Sequence, residues 1–297
     1  MKRLLCLIMG IGLWSGAFCA ADCRQVLTDS LRALLADRRA EVGVAAVLDD
    51  GSAFTYGNDR RYPMLSVFKF HLALAVLHRL DSLRQPLTLP LDVSAADLRP
   101  HTWSPLRERY PGGGVRLSVA ELLRYSVAQS DNNACDRLLR YVGGPRAVDA
   151  YVRRLGIESF AIRRTEDDMH RRPACCVDNW TTPLAAARLL ERFCRDTLFA
   201  DPAYADFLCE VMCATVTGAD KLRAGLPAGV RLGHKTGSSD RDTRGMKLAD
   251  NDIGFVRLPD GRWLFLAVFV TRSYESDATN AALIADVARL VMKAIDN

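Results

Sequence analysis

The 297-residue sequence predicts an α+β protein whose two ends form one α/β layer, with a mostly helical insertion between them. Three observations carry this prediction. Strand runs joined by tight-turn signals occur near both ends of the chain. A helix with apolar spacing flanks them on each side. The stretch from about 66 to 215 shows helix caps and helical periodicity instead. At about 150 residues per domain, the length allows one or two domains.

Taken in order, residues 1–21 read as an export signal. Lys2 and Arg3 are a positive start, Leu4 to Trp14 is an apolar run too short to span a bilayer comfortably, and small residues at Cys19-Ala20-Ala21 offer a cleavage site. Arg24 to Arg38 carries helical spacing through Val26, Leu27, Leu31, Leu34 and Leu35. Val42 to Leu48 is a strand, and Asp50-Gly51 turns it into Ala53 to Tyr56. Phe70 to Leu80 is apolar nearly all round, which predicts a buried helix. Ser118-Val119-Ala120-Glu121 is a capping box ahead of Leu122 and Leu123. The helix over Asn133 to Val142 stops at Gly143-Gly144. Thr181-Thr182-Pro183 starts another, running through Phe193. Arg231 to Gly237 is a strand, and Ile253 to Leu258 and Trp263 to Val270 are two more, joined at Pro259-Asp260-Gly261. Ala278 to Ile295 is a closing helix.

Composition excludes several function classes. The chain is 49% hydrophobic and 25% charged, which excludes a disordered or collagen-like protein and a polytopic membrane protein. Its net charge is +5, falling to +3 without Lys2 and Arg3, and no run of five or six basic residues appears. Nucleic acid is therefore not an expected partner, and no second long apolar run predicts a membrane span. Export points to a secreted or periplasmic product. Of the nine cysteines, Cys6 and Cys19 leave with the signal. The seven that remain are an odd number without zinc-site spacing, so no metal and no disulfide connectivity is assigned. No coiled-coil or partner signature is present, and a monomer is expected.

Four constellations carry chemistry. Ser66-Val67-Phe68-Lys69 puts a serine at the start of the buried helix and a lysine one turn later on the same face. A serine hydroxyl is a weak nucleophile and needs a neighbouring base, and a lysine in an apolar site can be one. Ser130-Asp131-Asn132 lies between two helices, where a hydroxyl can relay a proton and an amide can hold a substrate amide. Lys235-Thr236-Gly237 ends a strand: the lysine attracts a carboxylate, and the glycine lets a ligand approach the backbone. Each alone matches ordinary caps and strand edges. Glu166 follows in a loop, 36 residues beyond Ser130.

In this order, S-x-x-K, S-D-N and K-T-G form the signature of class A β-lactamases and penicillin-binding proteins. With Glu166, the chain resembles the class A β-lactamases over essentially its whole mature length. That resemblance implies an antiparallel five-stranded sheet flanked by helices, an all-helical lobe, and the active site between them. The α/β lobe would be 22–62 with 216–297, and the helical lobe 63–215, with an omega loop at about 163–180. It further implies that Ser66 is the nucleophile, that Lys69 and Glu166 serve in acylation, and that Glu166 is the base of deacylation. Ser130 would pass a proton to the lactam nitrogen, and Asn132 would bind substrate. The backbone N–H groups of Ser66 and Ser238 would form the oxyanion hole. Lys235, Thr236, Gly237, Ser238 and Arg244, nine residues after Lys235, would hold the substrate and its carboxylate. The partner is a small-molecule β-lactam, and no cofactor is needed because the serine does the covalent work.

Three departures from the family pattern predict a rearranged omega loop. Asp167 stands where a proline across a cis bond is common, His170 replaces the asparagine that supports the deacylating water, and Asn179 beside Asp178 replaces an arginine-pairing aspartate. With Asn251-Asp252-Ile253-Gly254-Phe255-Val256, these resemble the divergent, extended-spectrum branch that favours cephalosporins. Leu65 replaces the cysteine of carbapenemases before the nucleophile. The competing readings are a D-Ala-D-Ala peptidase or penicillin-binding protein, or a β-lactam sensor that stays acylated.

Overall fold

The computed structural model describes residues 21–296, so the expected export segment lies outside the described residues except for Ala21, which opens the first helix. In chain order the regular elements are α1 (Ala21–Leu35), β1 (Glu41–Leu48), β2 (Ala53–Tyr56), β3 (Tyr62–Pro63), α2 (Phe68–Ser82), β4 (Pro90–Val93), α3 (Pro105–Arg109), β5 (Val115–Ser118) and α4 (Val119–Leu123). Then follow α5 (Asn132–Val142), α6 (Pro145–Arg154), β6 (Phe160–Ala161), α7 (Glu166–Arg171), β7 (Trp180–Thr181), α8 (Pro183–Arg195), α9 (Pro202–Cys213) and α10 (Leu222–Gly225). The chain closes with β8 (Arg231–Ser238), β9 (Lys247–Arg257), β10 (Trp263–Ser273) and α11 (Asp277–Asp296).

The main sheet has five antiparallel strands in the order β2-β1-β10-β9-β8, so strands from the two ends of the chain meet at β1 and β10. Both faces of this sheet are covered, and the period-two alternation of a strand sorts its side chains between two cores. On β10, Leu264, Leu266, Val268 and Val270 pack toward α1 and α11 with Val287 and Val291. Phe265, Ala267 and Phe269 point the other way, into the core shared with α2 and α8. Alternation between two apolar layers explains why β1 and β10 read as continuous apolar runs. The expected buried helix is α2, in which every residue from Phe68 to Leu77 is buried.

The strands, hairpins and caps predicted at both ends are present, with shifted bounds. The first helix ends at Leu35 rather than Arg38, and β9 starts six residues before the expected Ile253. Its first half, Lys247 to Asp252, is polar in sequence, yet Asp250, Asn251 and Asp252 are buried and hydrogen-bonded.

Candidate active site

The sequence places its nucleophile by local chemistry. A single 3₁₀ turn, Leu65–Val67, runs directly into α2, so Ser66 sits where backbone N–H groups have no partner within the helix. Gly237 of β8 lies against that turn: a Cβ there would fall 2.4 Å from the Met64 carbonyl oxygen and 3.1 Å from the Val67 nitrogen. The glycine therefore does not open space for a ligand, as the sequence alone implies. It lets the strand dock on the nucleophile's own turn. Asn251 on the neighbouring strand clamps the same turn by donating from Nδ2 to the Pro63 carbonyl at 2.9 Å.

Lys69 is fully buried, but its ammonium is not in the apolar site expected. It donates to the Ser130 carbonyl at 2.7 Å and to Asn132 Oδ1 at 2.5 Å, and pairs with Glu166 Oε1 at 2.9 Å. Ser66 Oγ makes a long 3.4 Å hydrogen bond to the same Glu166 oxygen. One carboxylate oxygen thus serves both the hydroxyl and the lysine.

Ser130 is held from two sides. Its hydroxyl accepts from Lys235 Nζ at 2.9 Å while its carbonyl accepts from Lys69. Its φ of 58° is left-handed, a conformation that costs a non-glycine residue on the order of 1 kcal/mol. Asp131, fully buried beside it, fixes that geometry. It caps α5 by accepting from the Ala134 N–H at 2.8 Å, and also accepts from the Leu106 N–H at 2.7 Å and the Ser104 hydroxyl at 2.9 Å. Burial raises its pKa, offset by these donors. Asp131→Ala leaves three donors without their partner. At about 1–3 kcal/mol for each unsatisfied buried group, we expect a loss of at least about 3 kcal/mol, seen as a lower urea midpoint. A loss under about 1 kcal/mol would contradict this account.

Lys235 is also fully buried and bonds the Thr236 carbonyl at 2.8 Å. Burial, and next the charge of Lys69, pull its pKa well below the ordinary lysine value. An arriving carboxylate would supply the counter-charge that burial withholds. His234 Nδ1 lies 3.0 Å from Asp252 on β9, and Thr236 bonds Thr217 at 2.7 Å. Ser238 is exposed at the strand end, paired in register with Asp250. Arg244 does not join this cluster. It lies in the exposed β8–β9 connection and turns to Asp242, 3.3 Å away.

Two residues organise the expected omega-loop segment. Asn179 is fully buried, accepting from the Arg163 and Arg164 N–H groups at 2.7 and 2.9 Å and donating to the Arg164 carbonyl at 3.0 Å. Asp178 takes the arginine, at 2.7 Å from Arg164 Nε. The Glu166–Asp167 bond is trans, as are all peptide bonds among the described residues. Asp136 of α5, which sequence reasoning missed, secures this bond's environment: its two oxygens accept from the Glu166 and Asp167 N–H groups, each at 2.8 Å. Nothing in the sequence marks Asp136 apart from other polar helix positions. His170 is exposed, and with Asn132, Asp136 and Glu166 it lines a narrow cavity of about 10 Å³, the space of about one water.

Burial first, and the Glu166 charge second, raise the Asp136 pKa to about 7. The folded protein therefore holds this proton more tightly than the unfolded chain does. Its contribution to stability is complete below about pH 4 and is lost as pH rises toward 7, at no more than about 1.4 kcal/mol per unit. Denaturant midpoints from pH 5 to 8 should fall more steeply in the natural protein than in Asp136→Asn. Parallel profiles would refute the assignment.

The model of the Beta-lactamase enzyme family matches residues 26–295. A β-lactamase of Bacteroides uniformis is 45% identical over 269 residues, 91% of each chain. The extended-spectrum β-lactamase PER-1 of Pseudomonas aeruginosa is 39% identical over 265 residues, 89% of this chain and 85% of that one. The crystal structure of the TLA-1 extended-spectrum β-lactamase superposes with a TM-score of 0.90 at 39% identity, covering 92% of this chain and 99% of that one. The chain belongs to the class A serine β-lactamase family. Members of this class open the β-lactam ring through an acyl ester on a serine.

Proposed function

We propose that this chain hydrolyses penicillins and cephalosporins, extended-spectrum cephalosporins included, through an acyl-enzyme on Ser66, and so confers resistance. The observation that carries the reading is the shared oxygen of Glu166, 2.9 Å from Lys69 Nζ and 3.4 Å from Ser66 Oγ, beside a cavity sized for one water. The reaction runs on these groups. Ser66 attacks the lactam carbonyl, and its proton passes to the Lys69–Glu166 pair. The N–H groups of Ser66 and Ser238 receive the oxyanion, where each donor is worth roughly 3 kcal/mol in comparable enzymes. Ser130, bonded to Lys235, hands a proton to the departing nitrogen. Lys235, Thr236 and Ser238 hold the substrate carboxylate. Glu166 then takes a proton from water, with His170 at the rim, and the ester is hydrolysed.

The site draws on 63–215 for Ser66, Lys69, Ser130 and Glu166, and on 216–297 for Lys235, which fits two lobes with the site between them. All these groups come from one chain, consistent with a monomer. The mature product acts in the periplasm or outside the cell. No helix among the described residues is long and apolar enough to cross a membrane. The extended-spectrum reading rests on the omega-loop departures Asp167, His170 and Asn179 and on the names of PER-1 and TLA-1.

The test is a time course of the purified mature protein with a chromogenic cephalosporin, followed by intact mass. Many turnovers with little adduct support hydrolysis. One burst with a persistent adduct on Ser66 would instead mean a penicillin-binding protein or a sensor.

A further inference from the structure

A second cleft holds none of the catalytic groups above. It has a volume of about 1020 Å³ and lies where the ends of the omega loop meet α6, the approach to β3, and the end of β10. Arginines dominate its lining: Arg60 and Arg61 before β3, Arg146 and Arg153 on α6, Arg163 and Arg164 at the start of the omega loop, and Arg272 on β10. Three carboxylates answer these seven guanidinium groups. Glu41 pairs with Arg60 at 2.7 Å and more distantly with Arg272, Asp149 is shared by Arg153 and Arg163, and Asp178 holds Arg164. Seven arginines against three carboxylates leave a local excess of four positive charges, more than the +3 expected for the chain without Lys2 and Arg3. Charge spread over a solvated surface would not gather this way.

Two of these arginines have no carboxylate partner among the described residues. Arg61 lies over the Trp180 ring, its guanidinium carbon 4.3 Å from the centroid, and Arg146 opens the first turn of α6 toward the cleft. Arg153 also stacks over Phe160 at 4.8 Å, but its donors are already taken by Asp149 and by the Glu158 and Phe160 carbonyls. An aromatic ring beneath a guanidinium fixes its plane and leaves its edge N–H donors free, the geometry that grips phosphate or carboxylate oxygens in pairs. The cluster carries like-charge repulsion that a bound anion relieves, and its volume suits a small-molecule ligand rather than one monovalent ion.

We propose that this cleft is a binding site for a multivalent anion bearing two or more phosphate groups, with Arg61 and Arg146 as its principal contacts. The ligand is either a free oligoanion or a phosphate-bearing headgroup of a lipid surface; the chemistry recognised is the same. Because Arg163 and Arg164 belong to the omega loop and Arg146 to α6, such a ligand braces one against the other. Binding to the folded chain alone raises its thermal midpoint with the logarithm of ligand concentration above Kd.

The test uses the full mature chain with inorganic tripolyphosphate, read by calorimetric titration and by thermal unfolding. A parallel arm measures co-sedimentation with vesicles containing phosphatidylinositol 4,5-bisphosphate. The expected result is saturable binding of one tripolyphosphate per chain with a raised thermal midpoint. R61E/R146E should weaken it at least tenfold, whereas R32E/R116E, the same charge change at exposed pairs elsewhere, should stay within twofold. Should R61E/R146E fail to fold, R61Q and R146Q, each expected to weaken binding about threefold, take its place. Vesicle binding with this same arginine dependence, without tripolyphosphate binding, would assign the site to a headgroup. Absence of saturable binding in both arms, or equal losses in the cleft and control variants, would overturn the proposal.

Discussion

Glu166→Gln is expected to convert turnover into a single burst. The amide keeps the shape of the side chain, and its oxygen still accepts from Lys69, now at 2.9 Å from Glu166 Oε1. What it loses is the ability to take a proton from water. General-base assistance is worth about 10²–10⁴-fold, so steady-state hydrolysis of a chromogenic cephalosporin should fall by about 10³-fold. Chromophore release should stop near one equivalent per chain, and intact mass should find the ring-opened substrate retained on Ser66. A glutamine also leaves Lys69 with its two other acceptors, the Ser130 carbonyl and Asn132 Oδ1, so the buried ammonium is not stranded. Glu166→Ala is a harsher change, because removing one partner of a buried pair costs about 3–5 kcal/mol. Steady turnover at the natural rate in the glutamine variant would remove Glu166 from deacylation and direct attention to the other candidate bases at the same cavity, Asp136, Asp167 and His170.

Much of this site was legible in the sequence because its motifs coincide with places where elements begin or end. Ser66 precedes α2, Ser130 precedes α5, and Lys235 lies near the end of β8. Such positions carry local signals: caps, apolar spacing and strand alternation. The sheet was legible for the same reason, except where function overrides pattern. The strand expected from Ile253 begins at Lys247 instead: the mostly polar Lys247 to Asp252 is the half of β9 beside the site, its carboxylates satisfied by Lys221 and His234. The two-residue strands β3, β6 and β7 are too short to have any period.

What the sequence hid depends on contacts between distant residues. Asp136 reaches Glu166 across 30 positions, and Asn251 reaches Pro63 across 188. No spacing rule connects them. Arg244 illustrates the converse. Its distance in sequence from Lys235 matches the pattern, but its side chain is committed to Asp242 in a turn. In the sequence the cleft arginines stand apart, as the pairs Arg60-Arg61 and Arg163-Arg164 and as single residues such as Arg146 and Arg272, and the fold gathers them. Charge summed along a chain does not reveal charge concentrated in space.

Ser66→Ala should abolish both turnover and covalent adduct while leaving the fold intact. The half-buried hydroxyl makes one long bond, 3.4 Å to Glu166, so its removal should move the unfolding midpoint by no more than about 0.5 kcal/mol. Removing a nucleophile that acts with its base as a unit costs on the order of 10⁶-fold in turnover. Lys235, Thr236 and the Lys69–Glu166 pair remain, so a cephalosporin should still bind without reacting, measurable by quenching of tryptophan fluorescence. The combination separates chemistry from folding: full stability, retained binding, no mass increase. An adduct that persists in this variant would move the nucleophile to another hydroxyl. Ser130 is the nearest rival in the site, already strained at φ 58° and bonded to Lys235. Its carbonyl, however, faces Lys69, and its hydroxyl already accepts from Lys235. That geometry suits a proton relay to a leaving nitrogen. Ser66, bonded to a carboxylate at the open end of a 3₁₀ turn, is the hydroxyl placed to attack.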